Sequence, residues 1–394
     1  MARPDVDRPR RVEDDARVSP GWTPRPMVAG VLTGFGVVAA LLGVPSASSS
    51  PMAVPSGSVH RLVATPLPRD GKIAFIHDGF LKVVNPDGSG SRVLAGLGKR
   101  KLTPCAWPCE IGAPAWSPDG KRLAFLRGDG GSGPGCMRNC RHPNLSLFVI
   151  GADGVGERRL ARCGNACGSY PIGSFSWSPN GERIVIPGNG LMLVDTGTGS
   201  IVDNGTGSIR RLAAIGENPV WSPDGSRIAY TFAGSLFVVR VAGLGHGRRL
   251  APSDDTAPSW SPDGRTLVFG ASNAINLIGA NGTGFSRLVA GPSASGPGVP
   301  SWSPDGKRIV YFSTPGTPAH FIPEVWTITP TGSKRERLFR GSCCVGIWTR
   351  PIWSPDGAKL AFAWNASAIV MNANGSNRHT LARYASDLAW QPAR

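Results

Sequence analysis

Eight cysteines are the residues of this chain best equipped for chemistry, and they come in short-range sets: Cys105 and Cys109 in CAWPC, Cys136 and Cys140 in CMRNC, Cys163 and Cys167 in CGNAC, and the adjacent Cys343 and Cys344. Two chemistries suit such sets. An even count of thiols in an exported chain argues for disulfides, which would pin the long loops that carry them. Clustered thiolates with His142 nearby would suit zinc or iron, but three residues between cysteines is not the two-residue spacing of structural zinc knuckles. Cys343 and Cys344 could also close a vicinal disulfide, a labile type. Disulfides are therefore expected at all eight positions and no metal ligand is assigned. Pairing stays open between bridges within each C-x-x-x-C and bridges across loops, and a redox or metal sensor built on these loops is the alternative.

Other catalytic signatures are thin. The histidines, His60, His77, His142, His246, His320 and His379, are dispersed. No G-x-S-x-G elbow, H-E-x-x-H or P-loop occurs, and the one literal G-x-G-x-x-G, Gly128 to Gly133, has no helix to follow it. No catalytic residue and no cofactor are assigned.

The elements that carry these residues are written by a repeat. WSPDGKRLAF from Trp116 returns as WSPNGERIVI from Trp177, WSPDGSRIAY from Trp221, WSPDGRTLVF from Trp260, WSPDGKRIVY from Trp302 and WSPDGAKLAF from Trp353. A seventh copy is split across the chain: DGKIAF at 70 to 75 lacks the Trp, and DLAWQP at 387 to 392 lacks the turn and second strand. Asn/Asp-Gly pairs recur every 39 to 61 residues, the period of propellers or solenoids. Within a unit, Pro-Asp-Gly and Asp-Gly suit tight turns: Pro presets φ, Asp bonds its own backbone and Gly takes φ > 0. Short runs such as LFVI suit strands buried on both faces. Each unit thus reads as a four-stranded antiparallel sheet, and seven sheets close into a ring when the LAW strand joins the blade begun by DGKIAF. All eight cysteines then fall in loops on one face, either entering a Trp strand or joining second and third strands. The repeated Asp sits on the opposite face and is read as turn chemistry, not as a metal set.

The W-S-P-D-G repeat followed by a short apolar strand resembles the TolB-type propeller repeat, a relative of the WD-type repeat, over about residues 70 to 392. The resemblance implies an all-β propeller and leaves function open. TolB itself has six blades and an extra amino-terminal domain; this chain writes seven units. The repeated Trp116, Trp177, Trp221, Trp260, Trp302, Trp353 and Trp390 are expected to pack between neighbouring sheets.

The chain has 394 residues, and its 53 Gly and 36 Pro fall largely at turns. The expected domains are a cytoplasmic tail (1–26), a signal or transmembrane anchor (27–44), a Pro/Ser-rich linker (45–69) and the propeller (70–394). Residues 27–44, MVAGVLTGFGVVAALLGV, are apolar and uncharged, at the boundary between a signal core and a spanning helix. Either reading exports the ring, to the cell surface, the periplasm or the medium. Formal charge is +16, with basic doublets such as Arg158-Arg159, Arg210-Arg211, Arg248-Arg249 and Lys334-Arg335 on fourth strands, where charge discourages edge-to-edge association. The same charge would attract an anionic partner. The expected partner is a protein or an anionic cell-envelope polymer, with no nucleic acid, membrane contact only through an uncleaved amino-terminal helix, and a monomeric ring. The function read from the sequence is a non-catalytic, extracytoplasmic binding scaffold. The alternative is an enzyme acting on sugars or lactones at the channel mouth.

Overall fold

The computed structural model describes residues 71–96, 111–128, 145–162, 175–187, 190–199, 211–213, 216–242, 247–254, 256–290, 298–317, 320–342 and 349–392. Blade two shows how the repeat becomes structure. Strand Ile111–Trp116 ends at the Trp, the Pro118-Asp119-Gly120 turn reverses the chain into Arg122–Gly128, and Leu145–Gly151 and Arg158–Arg162 complete an antiparallel sheet in chain order. Seven such four-stranded sheets form the ring. In blade one the fourth member comes from the far end of the chain, as Ala385–Trp390 pairs with Ile73–His77 through Ile73 opposite Trp390 and His77 opposite Ala385. The closing strand joins blade one through hydrogen bonds and apolar packing. Blade six carries one extra hairpin, Gly316–Thr317 with His320–Phe321, between its second and third strands.

The Trp-bearing strands are innermost. Strand Ala385–Trp390 touches Ile111–Trp116 on one side and Ile352–Trp353 on the other, and Gly298–Trp302 touches both Ser259–Trp260 and Ile352–Trp353. Fourth strands are outermost, and their first residues face solvent. Second and third strands are buried on both faces: Leu123, Phe125, Leu267, Phe269, Leu360 and Phe362 are fully enclosed. The apolar side chains gather into seven clusters, one per blade interface, and each Trp sits in the cluster it shares with the preceding blade. Trp116 packs on Ala74, Ile76 and Leu81 of blade one, and Trp390 packs on Ala361, Ala368 and Val370 of blade seven. An isolated sheet of this size would leave both apolar faces wet, and the neighbours supply the burial it lacks.

The S-P-D/N-G turn is a hydrogen-bonded unit written six times. The Ser hydroxyl donates to the Asp or Asn Oδ1 two residues on at 2.5–2.7 Å, and accepts the backbone N–H five residues on at 2.8–2.9 Å. Each turn Gly has a positive φ, as at Gly120 (63°) and Gly225 (71°), the left-handed region that only Gly enters without penalty. At Asp224 the Ser222 hydroxyl and then the Ser226 N–H favour the carboxylate and hold its pKa down at about 2, against a usual 3.8. The Ser261 hydroxyl likewise lowers Asp263. A depressed folded-state pKa gives stability that is present above the unfolded value and lost as pH falls through the folded one. The unfolding midpoint is therefore expected to fall between about pH 4 and about pH 2, and Asp224→Ala should flatten that fall, as read by thermal unfolding at stepped pH.

Candidate functional site

A propeller concentrates its irregular chemistry where the innermost strands line the channel. Four of the seven inner strands carry a β-bulge, at Gly112/Ala115, Glu217/Val220, Gly298/Ser301 and opposite Ala74/Ile76. The third residue before Trp in each, Ala113, Asn218, Val299 and Asp387, has φ of 50–51°. Each such non-glycine residue costs about 1–2 kcal/mol, and a β-branched Val299 there is a genuine outlier. Strain of this kind accumulates where a backbone is held for a purpose, and bulges re-aim side chains beside functional sites. The inner strands of the other three blades, Ser176–Trp177, Ser259–Trp260 and Ile352–Trp353, are two residues long and carry no such bulge among the described residues.

The bulges also explain how the Trp side chains bond. The indole Nε1 of Trp116, Trp177, Trp260 and Trp353 donates to the carbonyls of Ala389, Ala115, Val220 and Ser301 at 3.0–3.2 Å, each acceptor being the residue before Trp in the preceding blade. Every one of those acceptors lies on a bulged strand, whose bend presents its carbonyl to the neighbour. Trp221, Trp302 and Trp390 follow unbulged blades, and their buried Nε1 atoms have no partner among the described residues. The backbone N–H of Trp221 and of Trp302 bonds instead to the hydroxyls of Ser176 and Ser259, at 3.3 Å each. The Arg that follows the turn adds a second tie. Arg122, Arg227 and Arg308 lie 5.1–5.2 Å from the ring centres of Trp177, Trp260 and Trp353 in the next blade. Arg122 and Arg227 also donate to Gly181 and Gly264 of that blade's turn.

Two charged side chains occupy the position three residues before Trp. Asp387 of blade one is crowded by protein, and burial pushes its carboxyl pKa up, against opposing hydrogen bonds from the Ser386 hydroxyl and the Ala113 N–H of blade two. Arg350 holds the equivalent position in blade seven. Its Nη2 donates to the carbonyls of Pro300 at 2.9 Å and Pro258 at 3.3 Å, so one guanidinium ties the inner strands of blades five, six and seven. Burial pushes its pKa down to about 10, which leaves it cationic at neutral pH. Its Nε is buried and unpartnered among the described residues, and no carboxylate there pairs with it. The arrangement is an oriented guanidinium and, on the adjacent inner strand, a carboxyl whose pKa burial raises.

The outer rim is the second candidate surface. Arg92, Arg158, Arg159, Arg248, Arg249, Arg287, Arg335 and Arg337 are exposed at the starts of fourth strands. Some of these side chains also stitch blades together: Arg92 donates to Ala152 at 2.6 Å and Arg158 to Thr196, each in the next blade.

The eight cysteines, His60, His142 and His246 lie outside the described residues, as do residues 1–70. His77 sits at a strand end beside Lys82 (3.0 Å) and Asp78 (3.1 Å), and His379 on the outer rim bonds to the Pro86 carbonyl at 2.9 Å. His320 lies in the blade-six hairpin, so the three described histidines are not brought together. Among the described residues no group of three His, Cys, Asp or Glu could hold a metal, and no helix is long and apolar enough to cross a membrane. Sequence reasoning missed Arg350 and Asp387, whose shared distance from Trp was the available signal.

A family model described as the TolB beta propeller domain matches residues 204–389, the stretch that holds four of the W-S-P-D-G turns and the closing strand. Residues 204–389 thus carry the TolB-type β-propeller repeat. Solved structures agree on the fold. A periplasmic gluconolactonase from Pseudomonas aeruginosa is 14% identical, with a TM-score of 0.54 over 83% of this chain and 100% of that one. An oligogalacturonate lyase in complex with manganese is also 14% identical, with a TM-score of 0.51 over 81% of this chain and 86% of its own. TolB from Acinetobacter baumannii is 15% identical over 83% of this chain and 69% of that chain, with a TM-score of 0.49. At such identities the likeness concerns the fold alone. No curated sequence matches this chain.

Proposed function

We propose that this TolB-type propeller is an extracytoplasmic, non-catalytic binding scaffold whose basic rim engages an anionic polymer of the cell envelope, or an acidic protein surface of the same chemistry. The observation that carries the reading is the repeated exposed arginine at the start of the outermost strand, present in blades one, two, four, five and six. Charge placed at one height around a rigid ring suits a long, repeating anion, because several blades engage it at once and effective concentration multiplies weak contacts. The apolar run at residues 27–44 and the even cysteine count support the extracytoplasmic placement.

The test is binding to immobilised dextran sulfate and to neutral dextran across a salt series. Retention on dextran sulfate should weaken steeply as salt rises past about 0.15 M, where the Debye length shrinks to about 8 Å. The double variant Arg248→Gln, Arg287→Gln should lose about tenfold in low-salt affinity with its unfolding midpoint little changed. Equal retention on both matrices would sink the proposal. A second reading, catalysis on a sugar or lactone at the channel mouth, draws on Asp387, since burial raises its carboxyl pKa, the direction that general acid work requires.

A further inference from the structure

We propose that the open edge of blade six is a docking strand for an extended acidic segment of a partner protein, which joins the sheet as a fifth strand. The site rests on the reading of the rim as an anion-binding surface, and it narrows that surface to one blade and one kind of partner. Its outermost strand, Arg335–Arg340, is six residues long, where the described outermost strands of the other blades have three to five, and it holds neither Pro nor Gly. The inner edge of that strand is occupied. Thr329 N–H donates to the Lys334 carbonyl at 3.0 Å, and the pairing runs on through Ile328 opposite Arg335, Thr327 opposite Glu336 and Trp326 opposite Arg337. Bonded and non-bonded pairs alternate along an antiparallel ladder, so Arg335 and Arg337 turn their N–H and C=O groups to the open edge. Both side chains are exposed and both are held: the Arg335 guanidinium lies 4.2 Å from the Trp326 ring centre, and Arg337 donates to Glu324 at 3.1 Å.

An exposed edge is a template for strand addition, and charge decides which strand it accepts. Residues directly opposite one another in an added strand put their side chains on the same face, about 5 Å apart. A second copy of this edge would set Arg against Arg, whereas a strand with Asp or Glu at alternate positions sets a carboxylate against each. Glu324 faces Arg337 at 3.1 Å and Arg340 at 3.8 Å, so with Arg335 this face carries three arginines against one carboxylate, a net +2. On the other face Lys334 and Glu336 pair with each other at 3.1 Å and cancel. Basic side chains at every second residue suit an extended partner; a helix repeats its face at roughly every third or fourth residue. Because Trp326 and Glu324 already hold the two guanidinium groups, little of their freedom is lost when the carboxylates arrive.

The test uses the full-length protein and three probe peptides: Ac-TETETET-NH2, its lysine counterpart Ac-TKTKTKT-NH2, and the glutamate peptide with N-methyl groups on its Glu nitrogens. Backbone amide hydrogen exchange reads the site. The glutamate peptide is expected to slow exchange of the Arg335 and Arg337 amides about fivefold or more and to bind about tenfold more tightly than either of the others. The N-methylated peptide keeps the charge but cannot donate to the edge, which separates strand pairing from attraction to the rim. Equal binding of that peptide would overturn the fifth strand and leave the rim reading intact. The double variant Arg248→Gln, Arg287→Gln should bind the glutamate peptide as the wild type does, while Arg335→Gln should bind it more weakly. Protection of the same amides by the lysine peptide, or by the protein alone as its concentration rises, would give the edge to another occupant and overturn the proposal.

Discussion

Trp177→Phe is expected to cost about 1 kcal/mol more than Trp221→Phe, although both tryptophans fill the same place in the repeat and both are buried. The larger part of the difference comes from one hydrogen bond, beside the Arg122 guanidinium that lies over the Trp177 ring. The Trp177 indole donates to the Ala115 carbonyl at 3.0 Å across the blade interface, and Phe cannot. The Trp221 indole nitrogen is buried with no partner among the described residues, so replacing it removes a desolvated N–H that already carries a penalty of about 1–3 kcal/mol. The Phe change at 221 should therefore cost only the apolar contacts that the smaller ring gives up. Truncation to Ala removes the apolar contacts as well and should cost about 3–5 kcal/mol at either site, the range for a core aromatic. Denaturant unfolding reads the comparison through its midpoint, provided the slope stays constant. Equal losses for the two Phe variants would show that bulged and unbulged inner strands hold their neighbours alike, and the account of the four indole bonds would fail.

That comparison also marks where sequence reading stops. The blades, their number and the closing strand were legible because their signals are local: Ser, Pro, Asp and Gly each have a fixed task within the six residues of one turn, and the split repeat leaves only one way to complete blade one. The bulges were not legible. Ala113, Asn218, Val299 and Asp387 share a left-handed backbone and no side-chain type, whereas Gly is the residue that normally announces such a conformation. The tight hairpins at Ser272-Asn273 and Asn365-Ala366, both with two positive φ values, were hidden for the same reason. Arg350 was missed, since its reach to Pro258 and Pro300, 92 and 50 residues away, exists only after the ring has closed. The stacking of Arg122, Arg227 and Arg308 on the next blade's Trp depends on blade spacing, which no short window contains. The cysteine loops, where the sequence put its sharpest chemistry, lie outside the described residues, so the candidate site rests on side chains that the sequence did not single out.

Deleting residues 385–394 is expected to abolish cooperative folding of the ring, and supplying them as the separate peptide ASDLAWQPAR should restore it. The closing strand does four things at once. It pairs with Ile73, Ala74, Ile76 and His77 to complete blade one. Its Trp390 and Ala385 fill the interface between blades seven and one, where a core aromatic alone is worth about 3–5 kcal/mol. Its Ala389 carbonyl accepts the Trp116 indole at 3.2 Å. Finally, Gln391 stands where other copies have Ser: its Oε1 accepts the Lys72 N–H at 2.9 Å and its Nε2 donates to the Gly120 carbonyl at 2.7 Å, so its longer side chain bridges blades one and two, where a covalent S-P-D-G turn is absent. Together these terms approach the 5–15 kcal/mol that separates a typical folded domain from its unfolded chain. The truncated protein should therefore lose its near-ultraviolet circular dichroism and its resistance to protease. Because the strand is joined to blade one only by hydrogen bonds and packing, a free peptide can add to the open edge as a donated strand, and a peptide with Trp390→Ala should fail to rescue. A truncated chain that unfolds at the wild-type midpoint would mean that the ring is held without its closing strand, and the four contacts named above would then carry little of its stability.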